Sequence, residues 1–275
     1  MPALRRRTRM LIWIPLSLLV VYGLVLAAVA LLQERLLFFP QALPQTHRFD
    51  KPDVVERSVE VPGAKLSALH FRQPDARGLI FFLHGNGGNL DLWLPSTEVY
   101  RRVRFDLFML DYRGYGKSTG KIGSEEQLHG DVLAAYRSVA SEYAGRPIVL
   151  YGRSLGTGLA ARLASEVGTA LLVLVSPYSS LRELGRELMP WVPSFVGRYP
   201  LPTGEWLPRV KAPVLLLHGD QDALIGVTHA ERLKGVRPDA ELVVVQGAAH
   251  DDIHSFPQYV RTLTARLDAL GPSSQ

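Results

Sequence analysis

Ser154, Asp222 and His250 are far apart along the chain, yet each lies just beyond a short apolar run, in a turn of small or polar residues. A serine hydroxyl becomes a nucleophile when a base takes its proton, and an imidazole suits that task near neutral pH. The imidazole in turn needs a carboxylate to fix its tautomer and stabilise the imidazolium. Ser154 sits in Gly152-Arg153-Ser154-Leu155-Gly156, after the apolar residues 148–151 and before the helix-period segment 155–167. G-x-S-x-G alone is a weak signal, because glycine and serine are common. A strand before and a helix after are the context such a turn requires. The flanking glycines let strand and helix approach closely, and the turn pushes the hydroxyl out over the sheet edge. The plainer reading is an ordinary serine N-cap of a βα turn, so the other two groups must decide.

There are eight histidines. His250 follows the last apolar run, in Gly247-Ala248-Ala249-His250-Asp251-Asp252, where small residues let a ring swing over the sheet edge. His254, the nearest rival, is one turn further on and reads as solvated. His129 and His229 fall in helical segments and read as surface residues, and His70 lies in an early hairpin. For the acid, residues 214–217 are followed by His218-Gly219-Asp220-Gln221-Asp222, which offers two carboxylates. Asp220 sits in the tight turn beside Gly219, where turn hydrogen bonding is explanation enough. Asp222 projects further and is the preferred acid.

Acyl transfer also needs two donors aimed at the developing oxyanion. The backbone N–H of Leu155 supplies one. His84-Gly85-Asn86-Gly87-Gly88-Asn89, directly after the run 79–83, supplies the other through the N–H of Asn86, with His84 as a structural hydrogen-bonding residue. The alternative for this segment is a glycine-rich turn with no ligand. Asp111-Tyr112-Arg113-Gly114-Tyr115-Gly116-Lys117-Ser118 resembles a phosphate loop, but Asp111 stands where a Walker A motif needs glycine. It reads as a turn with Asp111 or Arg113 in buried polar contacts. Neither metal-ligand spacing nor a dinucleotide motif is present, so no cofactor is implied.

The elements that must position these groups follow from the apolar pattern. Residues 55–61 and 66–71 suit a hairpin turning at Pro62-Gly63. The runs 79–83, 105–110, 148–151, 170–175, 214–217 and 242–245 are continuous and short, as in strands buried on both faces of a parallel sheet. Helix-period segments at 91–103, 125–143, 155–167, 228–233 and 256–267 alternate with them. The expected domain is one doubly wound α/β unit over residues 54–270, its sheet eight-stranded and mostly parallel. Such sheets place ligands at the carboxyl ends of their strands, where each polar group above falls.

Before this domain, residues 10–32 carry no charge and are long enough, at about 1.5 Å each, to cross a hydrocarbon core of roughly 30 Å. A cleavable signal has a shorter apolar stretch, although Ala28-Val29-Ala30 resembles its cleavage site; a buried helix would lack cover. Residues 10–32 therefore read as a transmembrane anchor. Arg5, Arg6, Arg7 and Arg9 before it, with only Glu34 and Arg35 just after, put residues 1–9 in the cytoplasm and the domain on the opposite side, periplasmic in a Gram-negative host. Those arginines account for most of the net charge of +5, so nucleic acid is not an expected partner. Residues 33–53, with Pro40, Pro44 and Pro52, read as a linker. The absence of cysteine excludes disulfides and thiolate chemistry.

Taken together, the segments HGNGGN, DYRGYGKS, GRSLGTG, SPYSSL, HGDQDALI and GAAHDDI resemble the membrane-anchored α/β-hydrolase-domain proteins and their bacterial serine aminopeptidase-like relatives. The resemblance covers about residues 36–267 and implies the α/β-hydrolase fold, a triad at Ser154, Asp222 and His250, and oxyanion donors at Asn86 and Leu155. It leaves esterase, thioesterase, lysophospholipase and peptidase activities unseparated. A short cap at about 181–208 carries Met189, Trp191, Phe195, Val196, Tyr199 and Trp206, which form either an apolar rim or core packing. Anchor and rim together favour a small acyl or lipid-like substrate. The alternatives are a serine peptidase and a non-catalytic membrane-tethered interaction protein.

Overall fold

The computed structural model describes residues 2–94 and 98–271. Its strands are β1 (Val54–Val61), β2 (Ala64–Phe71), β3 (Gly78–Leu83), β4 (Phe105–Leu110), β5 (Ile148–Arg153), β6 (Leu171–Val175), β7 (Val214–Gly219) and β8 (Glu241–Val245). They form one sheet, eight-stranded among the described residues, in the order β1-β2-β4-β3-β5-β6-β7-β8. Only β2 runs against its neighbours, pairing antiparallel with β1 and β4; the rest are parallel. This is the α/β-hydrolase fold.

Successive side chains of a strand point to opposite faces, so an unbroken apolar run feeds two cores. Phe81, Leu150, Leu172 and Leu216 enter one core, with Leu159 and Ala160. Their neighbours Ile80, Val149, Val173 and Leu217 enter the other, with Leu263 and Leu267. The covering helices are α1 (Pro2–Phe38), α2 (Leu90–Trp93), α3 (Glu98–Val103), α4 (Glu125–Ala140), α5 (Leu155–Glu166), α6 (Leu181–Leu188), α7 (Thr203–Trp206), α8 (Thr228–Val236) and α9 (Pro257–Asp268).

The structure departs from expectation in three places. The helix expected over 91–103 is two short ones. Asn89 caps α2 by accepting from the Asp91 N–H at 3.0 Å, and Leu94, which precedes a proline, has left the helix; residues 95–97 lie outside the described set. His129 and His229 are buried, not superficial. His129 meets Trp206 edge-on at 5.0 Å, and His229 bonds to Ser179 and Glu187. Helical spacing says which residues share a face, but not that a neighbour covers it.

The third departure concerns the N-terminus. Helix α1 continues through Gln33–Phe38, where a linker was expected. Leu26, Val29, Ala30, Gln33, Glu34, Leu37 and Phe38 recur at three- and four-residue spacing and are its more buried positions among the described side chains, one face laid on the domain. Gln33 Oε1 accepts the Arg198 N–H at 2.8 Å, and Phe38 meets Tyr199 edge-on at 5.0 Å. The chain then continues against the sheet's rim, with the Gln41 and Leu43 N–H groups bonded to the carbonyls of Gly88 and Gly116. From Trp13 to Val25 the helix is exposed, and Trp13–Phe38 is long and apolar enough to cross a membrane.

Candidate active site

Ser154 joins β5 to α5 in a conformation that L-residues avoid, φ 50° and ψ −119°. Its neighbours explain how that is possible. A Cβ on Gly152 would lie 2.4 Å from the Gly156 carbonyl oxygen, and one on Gly156 would lie 2.1 Å from that of Leu83. Strand and helix therefore touch backbone to backbone on either side of the serine. We expect Gly156→Ala to destabilise the protein by about 3 kcal/mol or more, because the added carbon meets fixed backbone rather than a side chain that can turn away. Thermal unfolding checks this; an unchanged midpoint would show that the close approach is dispensable.

Ser154 stands at the N-cap position of α5 but makes no capping bond. By contrast, Ser124 and Ser180 cap α4 and α6 by accepting from the N–H groups of Gln127 and Glu183 at 3.1 and 3.0 Å. The Ser154 hydroxyl turns instead to His250, whose Nε2 lies 3.0 Å from Oγ. On the other edge of the ring, Nδ1 is 2.7 Å from Asp222 Oδ2. Residues from the ends of β5, β7 and β8 thus meet on one rim of the sheet.

The carboxylate is itself held. Asp222 Oδ1 accepts the N–H groups of Leu224 and Ile225 at 3.0 and 2.8 Å. Fully buried His218 brings Nε2 within 3.4 Å of Oδ2 while bonding the Ile225 carbonyl at 2.7 Å. Burial pushes the Asp222 carboxyl up, but the bonds from His218, His250 and the Ile225 N–H outweigh it and hold the group well below the usual carboxylate range. Asp220 takes the other role: its Oδ1 accepts the Gly247 N–H at 2.7 Å, stitching the turn after β7 to the turn after β8. His254 is exposed and faces Arg153, with 3.4 Å between Nδ1 and the guanidinium.

Asn86 and Leu155 line the same cavity as Ser154. The turn bearing Asn86 passes close to the nucleophile, since a Cβ on Gly85 would be 3.3 Å from that of Ser154. Gly87 and Gly88 follow at φ 73° and 74°, a pair of left-handed residues that only glycine adopts readily. His84 is buried among the rings of Trp93, Tyr112 and Tyr115, with Nδ1 bonded to the Gly85 carbonyl at 2.7 Å. Asp111 accepts the Leu90 N–H at 3.1 Å, and Arg113 grips Asp131 through Nε and a terminal nitrogen at 2.6 and 2.8 Å. Asp111 and Arg113 are thus both in buried polar contacts, which fix the loop 111–118 beside the turn that bears Asn86.

Sequence reasoning missed two positioning groups. The Arg153 guanidinium donates to the carbonyls of His250 and Asp251 at 3.1 and 3.2 Å, tying the histidine's loop to the strand that carries the serine. His218 supports Asp222 from beneath. Neither follows a local pattern; Arg153 merely occupies a variable position of its motif. The cavity, about 370 Å3, has mainly apolar walls from Leu36, Tyr178, Leu184, Leu188, Val192 and Ile225. Its cap divides the residues whose role was left open. Tyr199 and Trp206 are buried, whereas Met189, Trp191 and Phe195 are exposed.

Residues 74–207 match the family model described as serine aminopeptidase, S33. The chain is 31% identical over 209 residues to α/β hydrolase domain-containing protein 17B of Xenopus tropicalis, covering 73% of this chain and 70% of that one. It is 35% identical over 202 residues to α/β hydrolase domain-containing protein aho-3 of Caenorhabditis elegans, covering 71% of this chain but only 59% of the longer relative. Among solved structures, an esterase of Pyrococcus furiosus superposes with a TM-score of 0.66 at 22% identity, over 84% of this chain and 98% of that one. A membrane phospholipase A described as a bacterial virulence factor superposes with a TM-score of 0.61 at 20% identity, over 95% of this chain and 98% of that one.

Proposed function

The chain belongs to the α/β-hydrolase-domain family related to serine aminopeptidases, and we propose that within it this protein is a membrane-anchored serine hydrolase of acyl esters or thioesters, with lipid-like chains preferred. Residues 10–32 anchor it, with residues 1–9 in the cytoplasm and the domain on the opposite side of the membrane. One observation carries the chemistry: an imidazole bridging a strained, uncapped serine at 3.0 Å and an ionised aspartate at 2.7 Å, over a mainly apolar cavity.

The steps follow from the positions of the groups. Ser154 Oγ forms a bond to the acyl carbon as its proton passes to His250 Nε2, and Asp222 stabilises the resulting imidazolium. The carbonyl oxygen becomes an oxyanion, received by the N–H groups of Leu155 and Asn86. Collapse breaks the bond to the alcohol or thiol, which takes the proton from His250 and leaves an acyl ester on Ser154. Water then repeats the sequence, giving its proton to His250, and releases the acid and free Ser154.

The peptidase reading is weaker here. A peptide's ammonium terminus needs a carboxylate partner, and the described residues lining the cavity include Arg182 and Arg186 but no acidic side chain. The deciding experiment compares kcat/KM of the full-length protein for butyrate and laurate esters, the matching thioesters and aminoacyl amides, with and without lipid. The laurate ester is expected to lead and to respond to lipid. Equal rates for both chain lengths with no effect of lipid would end the lipid preference, and faster cleavage of the amides would transfer the protein to the peptidases.

A further inference from the structure

The Tyr22 hydroxyl donates to the carbonyl of Trp191 at 2.8 Å. Trp191 lies in the cap, beyond α6, whereas Tyr22 lies in the middle of the charge-free run between Arg9 and Glu34. The cap tip therefore stands alongside the candidate span, far from the span's foot on the domain. A hydrocarbon core of roughly 30 Å takes about 20 helical residues. If that core began at Met10, its far edge would fall near Val29, and Tyr22 would sit about 10 Å inside it. A register centred on the charge-free run puts Tyr22 deeper still. The cap carbonyl it holds lies at the same depth.

The composition of the tip suits that position. Trp191 and Phe195 are 50% and 84% exposed, with Leu188 and Met189 exposed beside them. Backbone at membrane depth needs its polar groups paired. Here the demand is met in part: Pro190 and Pro193 have no N–H, those of Val192 and Val196 bond to the carbonyls of Met189 and Pro193 at 3.0 Å each, and the carbonyl of Trp191 has Tyr22, whereas the N–H groups of Trp191, Ser194 and Phe195 have no partner among the described residues. Arg186, itself exposed, borders the cavity and donates to Ser194 Oγ at 3.1 Å. Arg198 turns to Glu34, beyond the apolar run. Helix α1 also builds part of the site, since Val29, Gln33, Leu36 and Leu37 line the cavity that holds Ser154, together with Leu188 and Val192 of the cap.

We infer that the partner of the cap tip is the bilayer: residues 188–196 are immersed beside α1 in the leaflet nearer the domain, and the acyl chain of a membrane lipid passes between α1 and the cap into the cavity over Ser154. The seating of the cap rests on the anchor reading above and not on the chemistry, whereas the lipid chain as substrate rests on the hydrolase reading.

Because the chain has no cysteine, a single nitroxide reports from one place. Full-length protein carrying Phe195→Cys, Trp191→Cys or Asp268→Cys would be spin-labelled and reconstituted in phosphatidylcholine vesicles. Asp268, beside Arg77 at the amino-terminal end of β3 and so away from the rim that bears Ser154, is the control. Labels at 195 and 191 are expected to collide with oxygen and to be shielded from a water-soluble nickel complex, with the label at 268 behaving in the opposite way. Nickel reaching 195 and 191 as freely as 268 would overturn the inference. So would shielding from both reagents, which would mean that a second copy of the chain covers the tip. For the first of these outcomes a further label at Leu18→Cys, within the charge-free run, separates the cases: shielded at 18, the anchor reading stands and the cap's seating fails; open at 18, the anchor reading has failed with it. In a second arm, Phe195→Asp is expected to retain hydrolysis of a soluble butyrate ester and to lose about tenfold or more against a long-chain ester presented in vesicles. Equal loss on both esters would also overturn it. If the parent protein cleaves neither ester, the hydrolase reading fails while the labels still decide where the cap sits.

Discussion

Replacing Ser154 with alanine is expected to lower kcat by roughly ten thousand- to a million-fold while leaving the fold intact. The hydroxyl caps no helix, and its bond within the described structure is to His250, so the substitution removes the nucleophile and little else. The same variant should lose labelling by a fluorophosphonate, which reacts with an activated serine. Because the three side chains act as a unit, His250→Ala should lose about as much, and the double variant hardly more than either. Fluorophosphonate labelling that survives in Ser154→Ala would move the nucleophile elsewhere and remove the basis for the proposed function.

Asp222→Asn is a test of electrostatics rather than of shape, and a fall in kcat of about ten thousand-fold is expected near neutral pH. The asparagine oxygen still accepts the N–H groups of Leu224 and Ile225, as Oδ1 does now, so the turn survives. What faces His250 Nδ1 is then an NH2 group. The ring has to accept there, its proton moves to Nε2, and Nε2 can no longer take one from Ser154. The pH profile distinguishes the members of the set. Because its hydrogen bonds hold the Asp222 carboxyl well below the usual range, it stays ionised throughout the pH range in which ordinary carboxylates titrate. The kcat/KM profile of the parent protein should therefore show no step from Asp222 across that range. A step there that disappears in Asp222→Asn would mean that its hydrogen bonds do not hold the carboxyl down. Wild-type kcat in the asparagine variant would pass the acid role to another carboxylate.

Much of this was legible in the sequence because it is local. A buried parallel strand has to be apolar on both faces, so its residues stand out as a run, and a turn at its end has to use small or polar residues. Ser154, Asp222 and His250 could be picked from those turns, and Asp220 set aside, before any contact was known; the structure then brings the three together and gives Asp220 to the Gly247 N–H. The elbow glycines are readable for the same reason, since steric demand within a few residues leaves a mark on residue type.

The remainder depends on which surfaces meet, and no residue encodes that by itself. His129 and His229 follow helical spacing like any surface residue, and only the packing of Trp206, Ser179 and Glu187 against them makes them interior. Arg153 acquires its positioning role from a loop 97 positions away along the chain. Helix α1 is the clearest case: its composition marked residues 10–32 as apolar and uncharged, but only the tertiary structure decided that the helix runs on to Phe38, forms a wall of the cavity and meets the cap through Tyr22. Hydrophobicity depends on each side chain's own transfer between solvents and is written residue by residue. Contact between distant segments is a property of the pair, and it exists only once the chain has folded.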